Sequence, residues 1–443
     1  MKYILTAALM IFSVAYAQDS LQLDHAISIA LTERSDLQQY EVQARRNEAQ
    51  LQVIKTQYLP QLSGNVQGRY NFINPVSVLP ANIFDPSQPS DELISARFGT
   101  NWSYSAGVSL SQPLYAPSVG GQVSEQLLEA RRSQIDARGA REQVVADVTE
   151  AYYGVLAGES EISLALADSL AAATVYQNLV EEQRAGRTLA PEVEQAELQL
   201  AQVTLRLRRT RQNLLTLKQL LLSTMNQPLD QAENMVPAVS LESCLRELEE
   251  PRQSSGGVAD RVELAQLSLE QDLLRTQALN QRKLMLPTLS LDAYLGANHF
   301  SNSFEPFNGA RWFGNSYAGL SLNIPITDIV KASRNEDVIE TEQAENRLEQ
   351  QDFLRKAGYE VADAQAQLDY AWQNLAIQRR AVQLAENQLQ VATAQSEEGR
   401  SLDQARWQAA AQAQQARYNA LKACYDVLIA DLRLRQAQGK VME

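Results

Sequence analysis

The stretch QYLPQLSGNVQGRY, residues 57–70, changes character in its middle. A polar, helix-like segment ends at Leu59-Pro60. An alternation follows, with Leu62, Gly64, Val66, Gly68 and Tyr70 on one side and Ser63, Asn65, Gln67 and Arg69 on the other. A period of two marks a strand with one apolar and one polar face. The same event recurs at LMLPTLSLDAYLGA, residues 284–297, where Leu289, Leu291, Ala293 and Leu295 oppose Ser290, Asp292 and Tyr294.

Setting Pro60 on Pro287 brings more of the chain into register. Arg34-Ser35-Asp36-Leu37 falls on Arg261-Val262-Glu263-Leu264, and Leu62-Ser63 on Leu289-Ser290, at an offset of 227. Further along, LSQPLY (110–115) falls on LNIPIT (322–327), Pro113 on Pro325, at an offset of 212, and AGRTL (185–189) falls on EGRSL (398–402), Gly186 on Gly399, at an offset of 213. The offset drops across 71–101 against 298–313, so the first copy has the longer loop. Anchors in the same order at such similar spacing imply a duplicated unit of about 210–230 residues, far longer than a solenoid repeat.

Each copy reads helix, strand, loop, strand, very long helix, turn, helix. In the first copy, residues 18–226, strands are expected at about 61–71 and 102–113, a long helix at about 118–185 and a return helix at 191–225. In the second, 258–443, the strands are expected at about 288–297 and 315–325, the long helix at about 330–398 and the return helix at 404–438. Residues 227–257, with Pro228, Pro237, Pro251 and a Ser/Gly-rich end, read as the linker. Pro60, Pro113, Pro287 and Pro325 sit at helix-to-strand junctions, where a missing N–H costs least. Gly186 and Gly399 end the long helices. A helix of nearly 70 residues is roughly 100 Å long, and its Ala, Gln, Glu, Arg and Leu content suits a coiled coil or a tube wall.

Bulk properties narrow the function. The chain has 443 residues and a net charge of −14, which argues against a nucleic-acid partner. Lys2, the apolar run from Tyr3 to Tyr16 and Ala15-Tyr16-Ala17 read as a secretory signal peptide over residues 1–17, too short to span a membrane comfortably. Cys244 and Cys424 either pair or remain buried thiols. His25 is expected in an N-terminal helix and His299 in an outer loop. No metal spacing, nucleophile elbow or phosphate loop appears, so neither an enzyme nor a cofactor is expected. Strands of about 10 residues match a tilted membrane crossing, and a polar side of Ser, Asn, Gln and Gly suits a water-filled lumen. Four strands cannot close a barrel, and an open edge in lipid costs several kcal/mol per unsatisfied group. Two copies would fill the interior with side chains, while three give a channel-sized barrel.

The chain resembles one known family, the TolC-type outer-membrane efflux proteins, over essentially its whole mature length. The resemblance is carried by LQLDHAISIALTERSDL (21–37), the two Leu-Pro strand entries, SQPLY (111–115), and the paired turns RAGRTLAPEVEQA (184–196) and EEGRSLDQARWQA (397–409). It implies a mainly α fold with a membrane β-barrel part: a homotrimer with a 12-stranded barrel in the outer-membrane lipid, a 12-helix periplasmic tunnel and a mixed equatorial belt. It also implies a passive exit duct of a tripartite efflux or type I secretion system, working with a periplasmic adaptor and an inner-membrane pump. The tips at Gly186 and Gly399 would dock the adaptor. In related proteins an acidic pair lies six and nine residues past the second glycine, positions occupied here by Ala405 and Gln408. Glu192 and Asp403 are the substitutes for a gate, and Arg187 and Arg400 could link helices that hold it shut; acids near a helix start are also favoured for local reasons. The loops 71–101 and 298–315 would face outside. Two other functions compete: an exported coiled-coil brace of the cell envelope, which would not need amphipathic strands, and a self-contained porin, which would need more of them.

Overall fold

The computed structural model describes residues 20–80, 83, 89, 91, 93–248, 258–308, 312–397 and 403–442. The signal peptide at 1–17, Gly399 and Arg400 lie outside the described residues. The chain forms two compact units. One comprises Met1–Gln43, Arg132–Ser268 and Leu348–Glu443, the other Ala44–Arg131 and Leu269–Arg347.

The elements follow in the order α1 (Leu23–Glu33), α2 (Ser35–Thr56), β1 (Gln61–Tyr70), β2 (Val76–Pro80), β3 (Leu93–Arg97), β4 (Trp102–Tyr115), α3 (Pro117–Arg184), α4 (Ala190–Thr224), α5 (Leu241–Leu248), α6 (Val262–Leu284), β5 (Thr288–Ser301), β6 (Trp312–Asn323), α7 (Ile326–Glu397) and α8 (Asp403–Ala437). Pro60 and Pro287 stand directly before β1 and β5, and Pro325 directly before α7. Each proline stops one period and lets the next begin. The helix α7 spans 72 residues, several times the ordinary length. No helix of the described residues is long and apolar enough to cross a membrane.

In the second unit, β1, β4, β5 and β6 form one antiparallel sheet in that order, so β4 and β5 join the two copies side by side. The ladders place Leu62 opposite Leu110, Leu110 opposite Ala293 and Ala293 opposite Ala318. Because parity is kept through all three ladders, one face collects the apolar set of every strand and the other the polar set.

Three sequence expectations change here. Pro113 is not a junction but lies inside β4, paired with Ser290, with a register shift between it and Tyr115. The β1 ladder ends at Gln61 and Ser111, so past that point β4 has a free side where a missing N–H is tolerated. His299 belongs to β5, not to a loop. It pairs with Tyr104 and Trp312 and is fully buried, because the ladder runs on to Ser301. The long outer loop also holds a two-stranded hairpin, β2 with β3.

In the first unit the core gathers where α1 lies against the middle of α3. Ala26 and Ala30 meet Val144, Val148, Tyr152 and Leu156, together with Leu221 of α4, Met225 directly after it and Leu428 of α8. Tyr152 donates its hydroxyl to the Leu21 carbonyl at 2.9 Å, and Leu21 pairs in parallel with Pro237. The linker is therefore partly folded: α5 buries Leu241 in this core and Leu245 against Ala371, Leu375 and Val427. Cys244 and Cys424 are free thiols on the edge of that core, and burial raises the pKa of both.

Candidate functional site

The sheet is strictly two-faced. Its apolar face carries Leu62, Val66, Val108, Leu110, Leu291 and Leu320, and its polar face carries serine, asparagine and glutamine at the alternating positions. Every residue of β1 is exposed on both sides, as is nearly every residue of β6. They are the two outer strands, each with an unpaired edge. At the end of the apolar face nearer the loops, aromatic rings form a row. Tyr70 lies 4.9 Å from Trp102, Trp102 lies 5.8 Å from Tyr104, and His299 stacks between Tyr104 and Trp312 at 5.6 Å from each. Amphipathic rings gather at the lipid–water boundary of membrane barrels. On the polar face Tyr294 stacks on Tyr317 at 5.7 Å and folds over the paired Gly107 and Gly296. A Cβ at Gly107 would stand 2.3 Å from the Tyr294 hydroxyl, so both glycines are needed for the ring to lie flat.

At the first helical tip, α3 ends in a two-bond cap. The N–H of Arg187 donates to the Glu182 carbonyl at 2.8 Å and that of Gly186 to the Gln183 carbonyl at 2.9 Å. Gly186 adopts φ +70°, a conformation that penalises a side chain. Pro191 stands in the first turn of α4. Thr188 donates its hydroxyl to the Glu192 carboxylate, so Glu192 has a local role at the helix start, where an acid is favoured. Arg187 is exposed. Asp403 opens α8.

The pairs α3/α4 and α7/α8 show a feature the sequence reading missed. In α8 the buried positions Ala409, Ala416, Ala423 and Ala430 recur every seventh residue, interleaved with Ala413, Val427 and Leu434. In α4 Val193, Leu207, Leu214 and Leu221 keep the same period, as do Ala196, Val203 and Thr210. A seven-residue period is a coiled-coil seam. It is weak to the eye because alanine outnumbers leucine along it.

A second missed feature is a duplicated ion-pair clamp in the first unit. Arg34 grips Asp36 with Nε at 3.0 Å and Nη2 at 2.6 Å and faces Asp147 at 3.7 Å. Arg261 grips Glu263 at 2.8 Å, bonds to Glu360, and stacks over Phe353 at 5.0 Å. Asp147 and Glu360 are equivalent at the offset of 213, as are the turns closing α4 and α8. Asn226, at φ +57°, donates to the Glu33 carbonyl at 2.9 Å. Gly439, at φ +69°, lies against the backbone of Asp260 and Arg261. The Arg34 hydrogen bond holds the Asp36 carboxyl below its ordinary range. Burial pushes Glu263 up, but the bond from Arg261 outweighs it and leaves that carboxyl lowered as well.

Residues 258–440 match the model of the outer membrane efflux protein family. No curated protein sequence matches the chain significantly. Several solved structures share its fold. CusC, crystallised in a study of its folding and transmembrane channel formation, aligns with a TM-score of 0.73 at 17% identity, covering 95% of this chain and 92% of that one. The Campylobacter jejuni CmeC outer membrane channel aligns at 0.70 and 17%, covering 94% and 85%. The Neisseria gonorrhoeae MtrE outer membrane channel, in its open state, aligns at 0.70 and 17%, covering 95% and 89%. The family model describes outer membrane efflux proteins, and CmeC and MtrE are described as outer membrane channels. The resemblance to outer-membrane efflux proteins is thus carried by sequence across the second copy, and the fold of these channels extends over nearly the whole chain.

Proposed function

We propose that the chain is the outer-membrane exit duct of a tripartite efflux or type I secretion system, through which solutes pass without energy input from the duct itself. Three copies contribute 12 strands to a barrel in the outer membrane and 12 helices to a periplasmic tunnel. The observation that carries this is the open sheet. Its outer strands β1 and β6 run in opposite directions and keep the same facial parity. The β6 edge of one copy therefore suits the β1 edge of the next, antiparallel and with apolar faces continuous. Closure alone satisfies those edges in lipid. A periplasmic adaptor and an inner-membrane pump are the proposed partners, docking at the tips around Gly186 and Gly399. Glu192, Asp403, Arg187 and Arg400 remain proposals for the gate, and the Thr188–Glu192 bond argues that Glu192 serves its own helix first.

The test is the mass of the protein extracted by detergent from the outer-membrane fraction. A three-chain particle that conducts in a planar bilayer supports the duct. A soluble periplasmic monomer overturns it. Replacing Glu192 and Asp403 together by Ala should change single-channel conductance; unchanged traces remove them from the gate.

A further inference from the structure

We propose that Asp292 sets the ion selectivity of the barrel, with Arg69 as the opposing charge at its other end. The inference rests on the trimeric duct proposed above and names the residue by which that duct would discriminate solutes by charge.

In the four-stranded sheet, two residues alone are charged at neutral pH with histidine neutral: Arg69 of β1 and Asp292 of β5. Both lie on the polar face. Asp292 shares a row with Ser111 and Gly319. The Ser111 hydroxyl donates to one carboxylate oxygen at 2.7 Å and the Ser290 hydroxyl to the other at 3.0 Å. Ser321 also bonds to it. The partners are neutral hydroxyls from three different strands. They fix the carboxylate against the wall without cancelling its charge. Arg69 is paired with Ser103, and Gln61, on the row of Asp292, lies eight residues earlier in the same strand, about 26 Å away along it. The two charges are too far apart to neutralise one another across water at physiological salt.

A threefold barrel turns each residue into a ring. Twelve strands about 4.8 Å apart and tilted by about 40° enclose a radius of about 12 Å at the backbone. An ion on the axis then passes within roughly 10 Å of three carboxylates. That distance is well inside the screening length of about 30 Å at 0.01 M salt and far outside the 3 Å at 1 M. A ring of carboxylates favours cations. The Asp292 ring lies near the helix end of the strands and the Arg69 ring near the loop end, so the lumen is polarised along its length.

The experiment is the reversal potential of the purified full-length protein in a planar bilayer, under a KCl gradient at low and at molar salt. Wild type should prefer potassium to chloride at low salt. Asp292→Asn should reduce that preference by about threefold or more, and the difference should vanish near 1 M. Asp292→Glu should keep most of it. Arg69→Gln should raise it, and carries the test should Asp292→Asn fail to assemble. Conducting channels whose preference survives D292N and is unmoved by R69Q overturn this inference while leaving the duct intact. A wild-type chain that forms no conducting trimer overturns the duct, and this inference with it.

Discussion

The two return helices, α4 and α8, are copies of one element built with different side chains. At the offset of 213, Ala196, Val203, Thr210, Leu214 and Leu221 of α4 correspond to Ala409, Ala416, Ala423, Val427 and Leu434 of α8, and all ten are buried. The period and the burial are the same, yet two of the five positions keep their residue type. The first copy fills its seam with volume, and the second closes it with methyl groups. Burial contributes in proportion to apolar area, so Val203 and Leu214 of α4 stabilise their hairpin more than Ala416 and Val427 stabilise theirs. An alanine seam compensates by letting backbones approach, which leaves less room for any added atom.

The strongest way to break this comparison is to shorten the large side chains. Leu214→Ala or Leu221→Ala should cost about 2–5 kcal/mol, read as a lower melting temperature of the purified protein by circular dichroism. Val427→Ala, the counterpart of Leu214→Ala, should cost less. Ala416→Val transplants the first copy's residue into the second. It should cost about 1–3 kcal/mol if the second seam is close-packed, and a neutral result would show that it has spare room.

The turns that close these helices differ in the same way. Gly439 and Asn226 hold the same left-handed position. Gly439→Ala should cost about 1–2 kcal/mol from the backbone conformation alone, and more because the new Cβ would stand 3.0 Å from the Arg261 backbone nitrogen. Asn226→Ala should cost less, since a side chain is already accommodated there. Equal losses in urea unfolding would remove the asymmetry.

The clamps give a smaller, pH-dependent contrast. Asp36 and Glu263 titrate lower in the folded protein than in the unfolded chain. Their contribution is complete above the ordinary carboxylate range near pH 4 and is lost as pH falls through the lowered folded values. Both carboxylates are about half exposed, so each clamp is worth no more than about 1 kcal/mol. Both Arg34→Ala and Arg261→Ala should flatten acid unfolding below pH 4, and Arg261→Ala should lie lower at every pH, because it also removes the pH-independent contact with Phe353. Equal acid melting profiles for the two variants would contradict this. Gly186→Ala should be the mildest change, about 1 kcal/mol of local strain, since nothing lies within 4 Å of the added Cβ. A bulky residue there should block export while trimers persist in the membrane.

The elements were legible in the residues because their signals are local. Leu-Pro followed by alternation marks β1 and β5, and long proline-free, alanine-rich stretches mark α3 and α7. Pro113 misled because a proline inside a strand normally signals its end, whereas here the neighbouring ladder stops first. His299 misled because the alternation weakens before the hydrogen bonding does. The clamps escaped notice because Asp147 and Glu360 lie more than 95 residues from their arginines, with no local pattern to single them out. Gly186 was legible as a helix end, but the Thr188 bond that occupies Glu192 was not.

By itself the sequence determined the duplication, the two faces of the four sheet strands and the great length of the helices, since each follows from a short-range period of 2 or 3.6 or from repetition along the chain. The tertiary structure alone decided that β4 pairs with β5 across the copies, that Ser111, Ser290 and Ser321 converge on Asp292, and that α5 folds the linker into the core. Those are choices among partners far apart in the chain. They are made by which edges and apolar surfaces meet once the chain collapses, and no local period encodes them.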